Sequence, residues 1–494
     1  MVETFDVVIV GGGPAGVTAA LRARELGATT ALVERARLGG TCTNDGCVPT
    51  RVLAHAARLL RDAGQFEAYG LQAARPTVDF AQVIARTQQV VYQVHEKKQL
   101  LAHLESVGVT VFDEVGNAHF VDPNTLQLAD GRQLRGDKFV LCVGGYSRKL
   151  PFPGSEHTLI HSDFWSMQKL PESMLIIGGG ATGCQFASIA SAFGVRVVIL
   201  DVAPQILITE DTLVVDTIIG EFERRGIDIL TSTEGVKRVE KANGRLRVTW
   251  GKDGETFTDE FEAVLQSVGW PGSVDGLGLE TAGVAVERNF IKVSDTLQTS
   301  APHIYAAGDI TGRMQLVQSA GYQARVAVEN ALLGIGYEAE HRLVPHGGFT
   351  DPEYGSVGPT EAQAREQYDI AVAVVQYADM DRAVIDDHLV GSCKLIIERE
   401  SRRVLAAHVV GEQALEVVHL VAAGIAAGMR VEQLAELEIA YPTFTAIVGL
   451  AARQLVRQLG LVPVIPEWRE LRRFRAVEWE QRSGFSESAP PIID

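Results

Sequence analysis

One pattern constrains the fold of this chain more than any other: a strand, a glycine-rich turn and a helix, written twice. Phe5-Asp6-Val7-Val8-Ile9-Val10 reads as a buried strand, Gly11-Gly12-Gly13-Pro14-Ala15-Gly16 as the turn, and the Ala- and Leu-rich residues to about Leu26 as the helix. The next strand, Thr29 to Val33, ends at Glu34. The same order returns with Ser173 to Ile177, Gly178-Gly179-Gly180-Ala181-Thr182-Gly183, a helix to about Phe193, and a strand from Val195 to Leu200 that ends in Asp201. In such a turn the glycines let the backbone approach a pyrophosphate, which sits against the free N–H groups and the positive end of the helix. The acid after the second strand reaches ribose hydroxyls. A lone glycine turn is a weak signal. Two of them, each with its acid, predict an α/β chain with two Rossmann-like dinucleotide-binding units.

Asp201 also bears on the choice of nucleotide. A carboxylate there bonds both ribose hydroxyls and repels a 2′-phosphate, and Val202, Ala203 and Pro204 offer no cation, so NADH is favoured over NADPH. The competing reading is a solvated turn residue. Further on, His303-Ile304-Tyr305-Ala306-Ala307-Gly308-Asp309 is a short apolar strand ending in Gly-Asp, a place for a carboxylate that suits a polyol chain.

The chain has 494 residues, enough for about three domains of ordinary size. Its 45 basic and 62 acidic residues leave a formal charge of -17, which argues against a nucleic-acid or anionic-membrane surface. No apolar run reaches the roughly 18 to 20 residues of a spanning helix, and the stretch Phe5 to Leu21 is broken by its glycines, so it is not a signal peptide. Five scattered cysteines, Cys42, Cys47, Cys142, Cys184 and Cys393, do not make a secreted disulfide framework, and a reducing cytoplasm is the expected compartment. From about Val344 the pattern changes. Alternating segments at Ala371 to Tyr377 and Ser392 to Glu398, then apolar helix-like stretches at Glu412 to Met429 and Thr443 to Gln458, predict a third, α+β domain. A charged piece, Glu467 to Arg482, and a Ser/Pro-rich end, Ser483 to Asp494, follow; the end is expected to be disordered.

Cys42 and Cys47 stand in Gly39-Gly40-Thr41-Cys42-Thr43-Asn44-Asp45-Gly46-Cys47-Val48-Pro49-Thr50-Arg51. Pro49 suits the first turn of a helix, whose N-terminus beside Cys47 favours the thiolate. A redox dithiol is expected, against the plainer reading of two free or structural cysteines. Cys142, Cys184 and Cys393 lie in apolar sequence and read as inert packing residues. No four-ligand metal site is apparent.

From about Val2 to Leu461, two fingerprints flanking one C-x4-C, a Gly-Asp strand and a C-terminal α+β region resemble the FAD-containing pyridine nucleotide disulfide oxidoreductases. Dihydrolipoamide dehydrogenase, glutathione reductase and mercuric reductase belong to that family. The resemblance implies that Gly11, Gly13, Gly16 and Glu34 bind the ADP part of FAD and Asp309 its ribityl chain. Gly40, Thr41, Gly144, Gly178, Gly180, Gly183, Asp201 and Gly269 complete the cofactor-binding set for FAD and NAD. It also implies an FAD-binding domain over 1–150 that returns over 271–343, an NAD(P)-binding domain over 151–270, a dimerisation domain over 344–464, a tail over 465–494, and a homodimer. Thr350-Asp351-Pro352-Glu353 marks the start of the dimerisation domain, and Leu141-Cys142-Val143-Gly144-Gly145 the crossover into the nucleotide domain.

The chain also departs from the family. Where disulfide-reducing members carry a His in a His-Pro-Thr motif with a Glu that orients it, this chain has Tyr441-Pro442-Thr443 and Ala446. A phenol with a pKa of about 10 is a poor proton shuttle beside an imidazole at about 6.5. Exchange with a small disulfide is therefore expected to be slow. The family's Lys-Glu pair beneath the flavin becomes Arg51 and Gln185, so the cation is expected to stay while its counter-charge goes, favouring anionic reduced flavin and the Cys47 thiolate. The aromatic that lids the flavin becomes Ala181. Mercuric reductase shares the missing His, yet it ends in a cysteine pair that the segment Pro466 to Asp494 lacks, so a metal ion would have to enter directly at Cys42 and Cys47. Trp468, Phe474 and Trp479 in that segment read as packing residues, across a dimer or on their own subunit. Three readings stay open: electron delivery to an acceptor that needs no proton, such as a metal ion, a quinone or a protein thiol; an ordinary disulfide reductase; and a low-turnover redox sensor or complex subunit.

Overall fold

The computed structural model describes residues 2–74, 76–341 and 343–461. The expectations for the tail over 465–494, with its aromatic residues and Ser/Pro-rich end, lie outside the described residues.

The first sheet is built on the strand Val2–Val10, whose Val7, Val8 and Ile9 are fully buried. It runs parallel to Thr30–Val33 on one side and to Gln133–Leu141 on the other, with Val8 opposite both Ala31 and Phe139. Near-continuous apolar runs of this kind are what a parallel sheet covered on both faces requires. The chain then leaves this sheet and comes back to it: Ile304–Ala306 pairs with the far edge of Gln133–Leu141, Tyr305 opposite Val140. Between departure and return lies a second parallel sheet in the order Ala263–Gln266, Ser173–Ile177, Arg196–Leu200 and Asp228–Leu230. An antiparallel ribbon of Gly235–Ala242, Arg245–Lys252 and Glu255–Phe261 packs beside it through Val239, Val248 and Trp250. In both sheets the crossover helix, Pro14–Glu25 or Ala181–Ala192, starts directly after the glycine turn.

The third region is a five-stranded antiparallel sheet whose strands Ile370–Gln376, Ser392–Glu398 and Val404–Val410 alternate or run fully buried. The helices Ala414–Ala426 and Ala446–Gln458 cover it and share one core with it. Both helices are shorter than the apolar runs from which they were read. The first is stopped where Gly428 takes φ +66, and the second begins only after turn bonds from Ala446 and Ile447 to Thr443 and Phe444.

Candidate active site

Each glycine turn is fixed by close approach of backbone to backbone. Gly11 has φ +105, and a Cβ there would lie 2.4 Å from the Cys142 carbonyl oxygen; a Cβ on Gly16 would lie 1.7 Å from the oxygen of Gly11. Gly178 and Gly183 repeat this against Ser267 and Gly178 at 2.2 and 1.9 Å. The two acids brace the turns. Glu34 accepts from the Gly12 N–H at 2.7 Å and the Ala36 N–H at 2.8 Å; Asp201 accepts from the Gly179 N–H at 2.6 Å and the Ala203 N–H at 2.8 Å. Both helices begin at a glycine that offers no side-chain cap, Gly13 and Gly180, which leaves the helix N-terminus able to receive an anion. Gly144 and Gly269 have φ +69 and +119, with open space where a Cβ would stand. Asp309 is a half-buried carboxyl to which Trp270 Nε1 donates at 3.1 Å, and burial raises its pKa.

Cys42 lies on the short helix Gly40–Asn44 and Cys47 opens the helix Cys47–Ala63. Gly40, with φ +57, lies against the first turn, where its Cβ would meet the Gly13 Cα at 2.7 Å. Cys42 is half-buried and Cys47 exposed. A hydrogen bond from Cys42 lowers the Cys47 thiol to about 7; burial and Asp309 oppose this, while the Cys47 backbone N–H and Lys98 assist it. The same coupling drives the Cys42 thiol far upward. Around neutral pH a large share of the pair is therefore a Cys47 thiolate accepting from a Cys42 thiol, the form that reacts. Cys142, Cys184 and Cys393 are buried, and burial pushes Cys142 and Cys393 up to about 12, as expected for inert packing residues.

Arg51 stands one turn after Cys47, and here the structure corrects the sequence reading. The cation keeps a counter-charge: its Nη1 lies 3.0 Å from Glu353 Oε2, and its guanidinium stacks 4.6 Å from the Phe349 ring centre. Gln185 is not its partner. Gln185 accepts from the Phe349 N–H at 3.2 Å and donates to the Ala181 carbonyl at 2.9 Å. An unopposed positive charge under the flavin therefore does not follow, because the acid comes from the third region. The same helix carries Arg58, paired with Glu353, and Arg61, which reaches Asp351 at 2.7 Å and Glu412 at 3.0 Å; Arg225 closes the cluster on Asp351 at 3.0 Å. Sequence reading missed this brace, although Arg51, Arg58 and Arg61 fall near one face of a helix.

Asp45, inside the C-x4-C loop, was also missed. Its carboxylate accepts from Ser162 Oγ at 2.6 Å and pairs with His161 Nε2 at 3.0 Å, and its carbonyl accepts from Trp165 Nε1 at 3.0 Å. Burial opposes ionisation, yet these bonds hold its carboxyl below the usual range. Tyr441 is exposed, and its hydroxyl donates to Asp381. Among the described residues no group of three His, Cys, Asp or Glu side chains is placed to hold a metal ion. Nor is any helix among them long and apolar enough to cross a membrane.

Two dinucleotide turns, a dithiol seated on the first, and a separate C-terminal sheet define a pyridine nucleotide-linked flavin and disulfide oxidoreductase. The sequence profile of the pyridine nucleotide-disulphide oxidoreductases matches residues 5–324 and that of their dimerisation domain residues 344–452; the chain belongs to this family and is an FAD oxidoreductase that uses NAD(P)H. It is 29% identical over 466 residues to a dihydrolipoyl dehydrogenase of Bacillus subtilis (strain 168), covering 92% of this chain and 98% of that protein. It is 29% identical over 455 residues to a mercuric reductase of Lysinibacillus sphaericus, covering 91% and 82%. The HOCl-induced flavoprotein disulfide reductase RclA from Escherichia coli superposes with a TM-score of 0.81 at 28% identity, covering 91% of this chain and 99% of that chain. A Cu(II) complex of that reductase gives the same score and identity. The residues here fit FAD and a nicotinamide nucleotide: helix N-termini without side-chain caps for the pyrophosphates, glycines that let the turn backbone close tightly, and a half-buried Asp309 suited to hydroxyl groups.

Proposed function

We propose that this enzyme takes reducing equivalents from NADH, holds them on Cys42 and Cys47, and delivers them to a thiophilic metal ion, Cu(II) or Hg(II), as a homodimer. When bound, FAD would supply the relay of an electron pair between the nicotinamide and the dithiol. The observation that carries the reading is Tyr441, whose hydroxyl proton is directed to Asp381, with Ala446 where an orienting acid would be needed. A disulfide acceptor must gain two protons along with two electrons, and a positioned acid is worth about 10² to 10⁴ in rate for such a transfer. A metal ion needs none. Two Cu(II) ions take one electron each as the dithiol becomes a disulfide and releases its protons; one Hg(II) takes both electrons.

The Cys42–Cys47 pair is the metal's binding point, Cys47 supplying a thiolate and Cys42 the second ligand and electron source. Two similar proteins are named for or complexed with such ions, a mercuric reductase and the Cu(II) complex of RclA. The acidic Asp201 with no cation in the three residues after it supports NADH as donor. Similarity to dihydrolipoyl dehydrogenases favours a second reading, reduction of a small disulfide. Anaerobic reduction with NADH followed by Cu(II), Hg(II), lipoamide or oxidised glutathione separates the two. Rapid re-oxidation by metal and slow re-oxidation by both disulfides is expected, and rapid re-oxidation by either disulfide overturns the proposal. Tyr441→His is expected to raise lipoamide turnover by about a hundredfold while leaving metal turnover unchanged.

A further inference from the structure

The three residues Thr43, Asn44 and Asp45 of the C-x4-C loop are each gripped from a different direction. Thr43 Oγ1 accepts from Lys98 Nζ at 3.0 Å. Asn44 Oδ1 meets His95 Nε2 at 2.6 Å, and its amide donates to the Arg37 and Leu38 carbonyls. Asp45 differs in where its partners come from. His161, Ser162 and Trp165 belong to a segment that has already joined the second sheet, since Leu159 bridges to Leu265 and its N–H donates to Val264 at 2.7 Å.

His161 is built to stay in place. Its side chain is 8% exposed and both ring nitrogens are engaged, Nε2 with Asp45 and Nδ1 with Ser147 Oγ at 2.7 Å. A carboxylate only accepts, which puts the imidazole proton on Nε2 and lets the Ser147 hydroxyl donate to Nδ1. The ring packs edge-on to Trp270 with centroids 5.3 Å apart, and Trp270 in turn donates to Asp309. Rotation of the imidazole would break two hydrogen bonds and this ring contact together.

Asp45 lies at the break between the helices Gly40–Asn44 and Cys47–Ala63, so the two cysteines sit on separate elements whose relative placement depends on that break. We infer that His161 is a positioning residue for the redox pair: together with Ser162 and Trp165 it holds Asp45 so that the Cys42 and Cys47 sulfurs face each other. The inference rests on the reading of these cysteines as the redox pair. A loop already held in the bonding arrangement loses little freedom when the disulfide closes. Freed from its clamp, the dithiol form gains conformational freedom that the cross-linked form does not, so the disulfide becomes easier to reduce.

The test is equilibration of the FAD-loaded enzyme in buffers of reduced and oxidised dithiothreitol, followed by acid quench, alkylation and mass spectrometry of the Cys42–Cys47 peptide. His161→Ala is expected to move the equilibrium toward the dithiol by about tenfold, about 30 mV for a two-electron couple. His161→Gln, which keeps an N–H donor within reach of Asp45, recovers most of that shift. Ser162→Ala and Trp165→Phe each remove one bond, are milder for folding, and move the equilibrium the same way by about two- to fivefold. A His161→Ala variant whose equilibrium stays within about twofold of wild type, whatever its melting temperature, overturns the inference and leaves His161 as an anchor of the fold only. A wild-type pair that forms no disulfide at any buffer ratio overturns the redox reading itself, and the inference with it.

Discussion

The two glycine turns are almost superposable in their backbone demands, yet they present different faces to a ligand. Gly11 and Gly178 have φ +105 and +104, and each would drive a Cβ into a carbonyl of the neighbouring strand end. The difference is at the third glycine. Gly13 lies under Gly40, with 3.7 Å between its would-be Cβ and the Gly40 Cα, so the cysteine segment roofs the first turn. Gly180 has no atom within 4 Å of that position. The bracing acids follow suit: Glu34 is 8% exposed, whereas Asp201 is half-buried. A roofed turn suits a resident nucleotide and an open one suits a nucleotide that binds and leaves, which is the difference expected if the first turn is the FAD turn and the second the nicotinamide turn.

The sharpest way to break this comparison is to injure both turns equally. Gly11→Ala and Gly178→Ala each force a Cβ to within 2.4 Å of a backbone oxygen at positive φ, a cost of about 3–5 kcal/mol. Gly11→Ala is expected to lose FAD on gel filtration as well as thermal stability. Gly178→Ala is expected to keep its FAD and raise the KM for NADH; equal FAD loss in both would dissolve the distinction. A smaller effect lies at the open turn, where Asp201→Asn removes the charge that repels a 2′-phosphate. The ratio of kcat/KM for NADH over NADPH should fall by about tenfold, read from initial rates with each nucleotide. Of similar size is the response on the roofed side. With the Cys47 thiol lowered to about 7, its alkylation rate should fall about tenfold from pH 8 to pH 6 as the thiolate takes up its proton. A rate that still climbs steeply above pH 8 would show that Cys42 and Lys98 do not stabilise the thiolate.

Legibility in the sequence follows the range of the forces involved. The turns, their strands and the helix opened by Cys47 are local, set by glycine spacing, apolar runs and Pro49, and they are readable one segment at a time. The ribbon over 235–261 carries hairpin signals in Asn243-Gly244 and Asp253-Gly254, all four residues at positive φ. Its strands escape a hydrophobic count all the same, because Gly235–Ala242 buries only Val239. The cysteine pair that the structure brings together could be picked out in the sequence, and the partners of its neighbours could not. Arg51 finds Glu353 302 positions away and Asp45 finds Ser162 117 positions away, pairings that only the assembled fold creates. The expectation of a lost counter-charge failed for that reason. It compared Arg51 with Gln185 alone, while the acid arrived from another sheet.

The arginine face of the helix Cys47–Ala63 carries a further meaning for biosynthesis. Its distant charge partners Asp351, Glu353 and Glu412 are made about 300 residues after it, so on the ribosome this helix emerges with Asp62 beside Arg61 but without the acids that brace Arg51 and Arg58. Until the last sheet forms, three guanidinium groups and a reactive thiol stand on a helix without its brace. The cysteine pair is thus present in the chain early, and the long-range ion pairs that brace its helix are completed only with the C-terminal sheet.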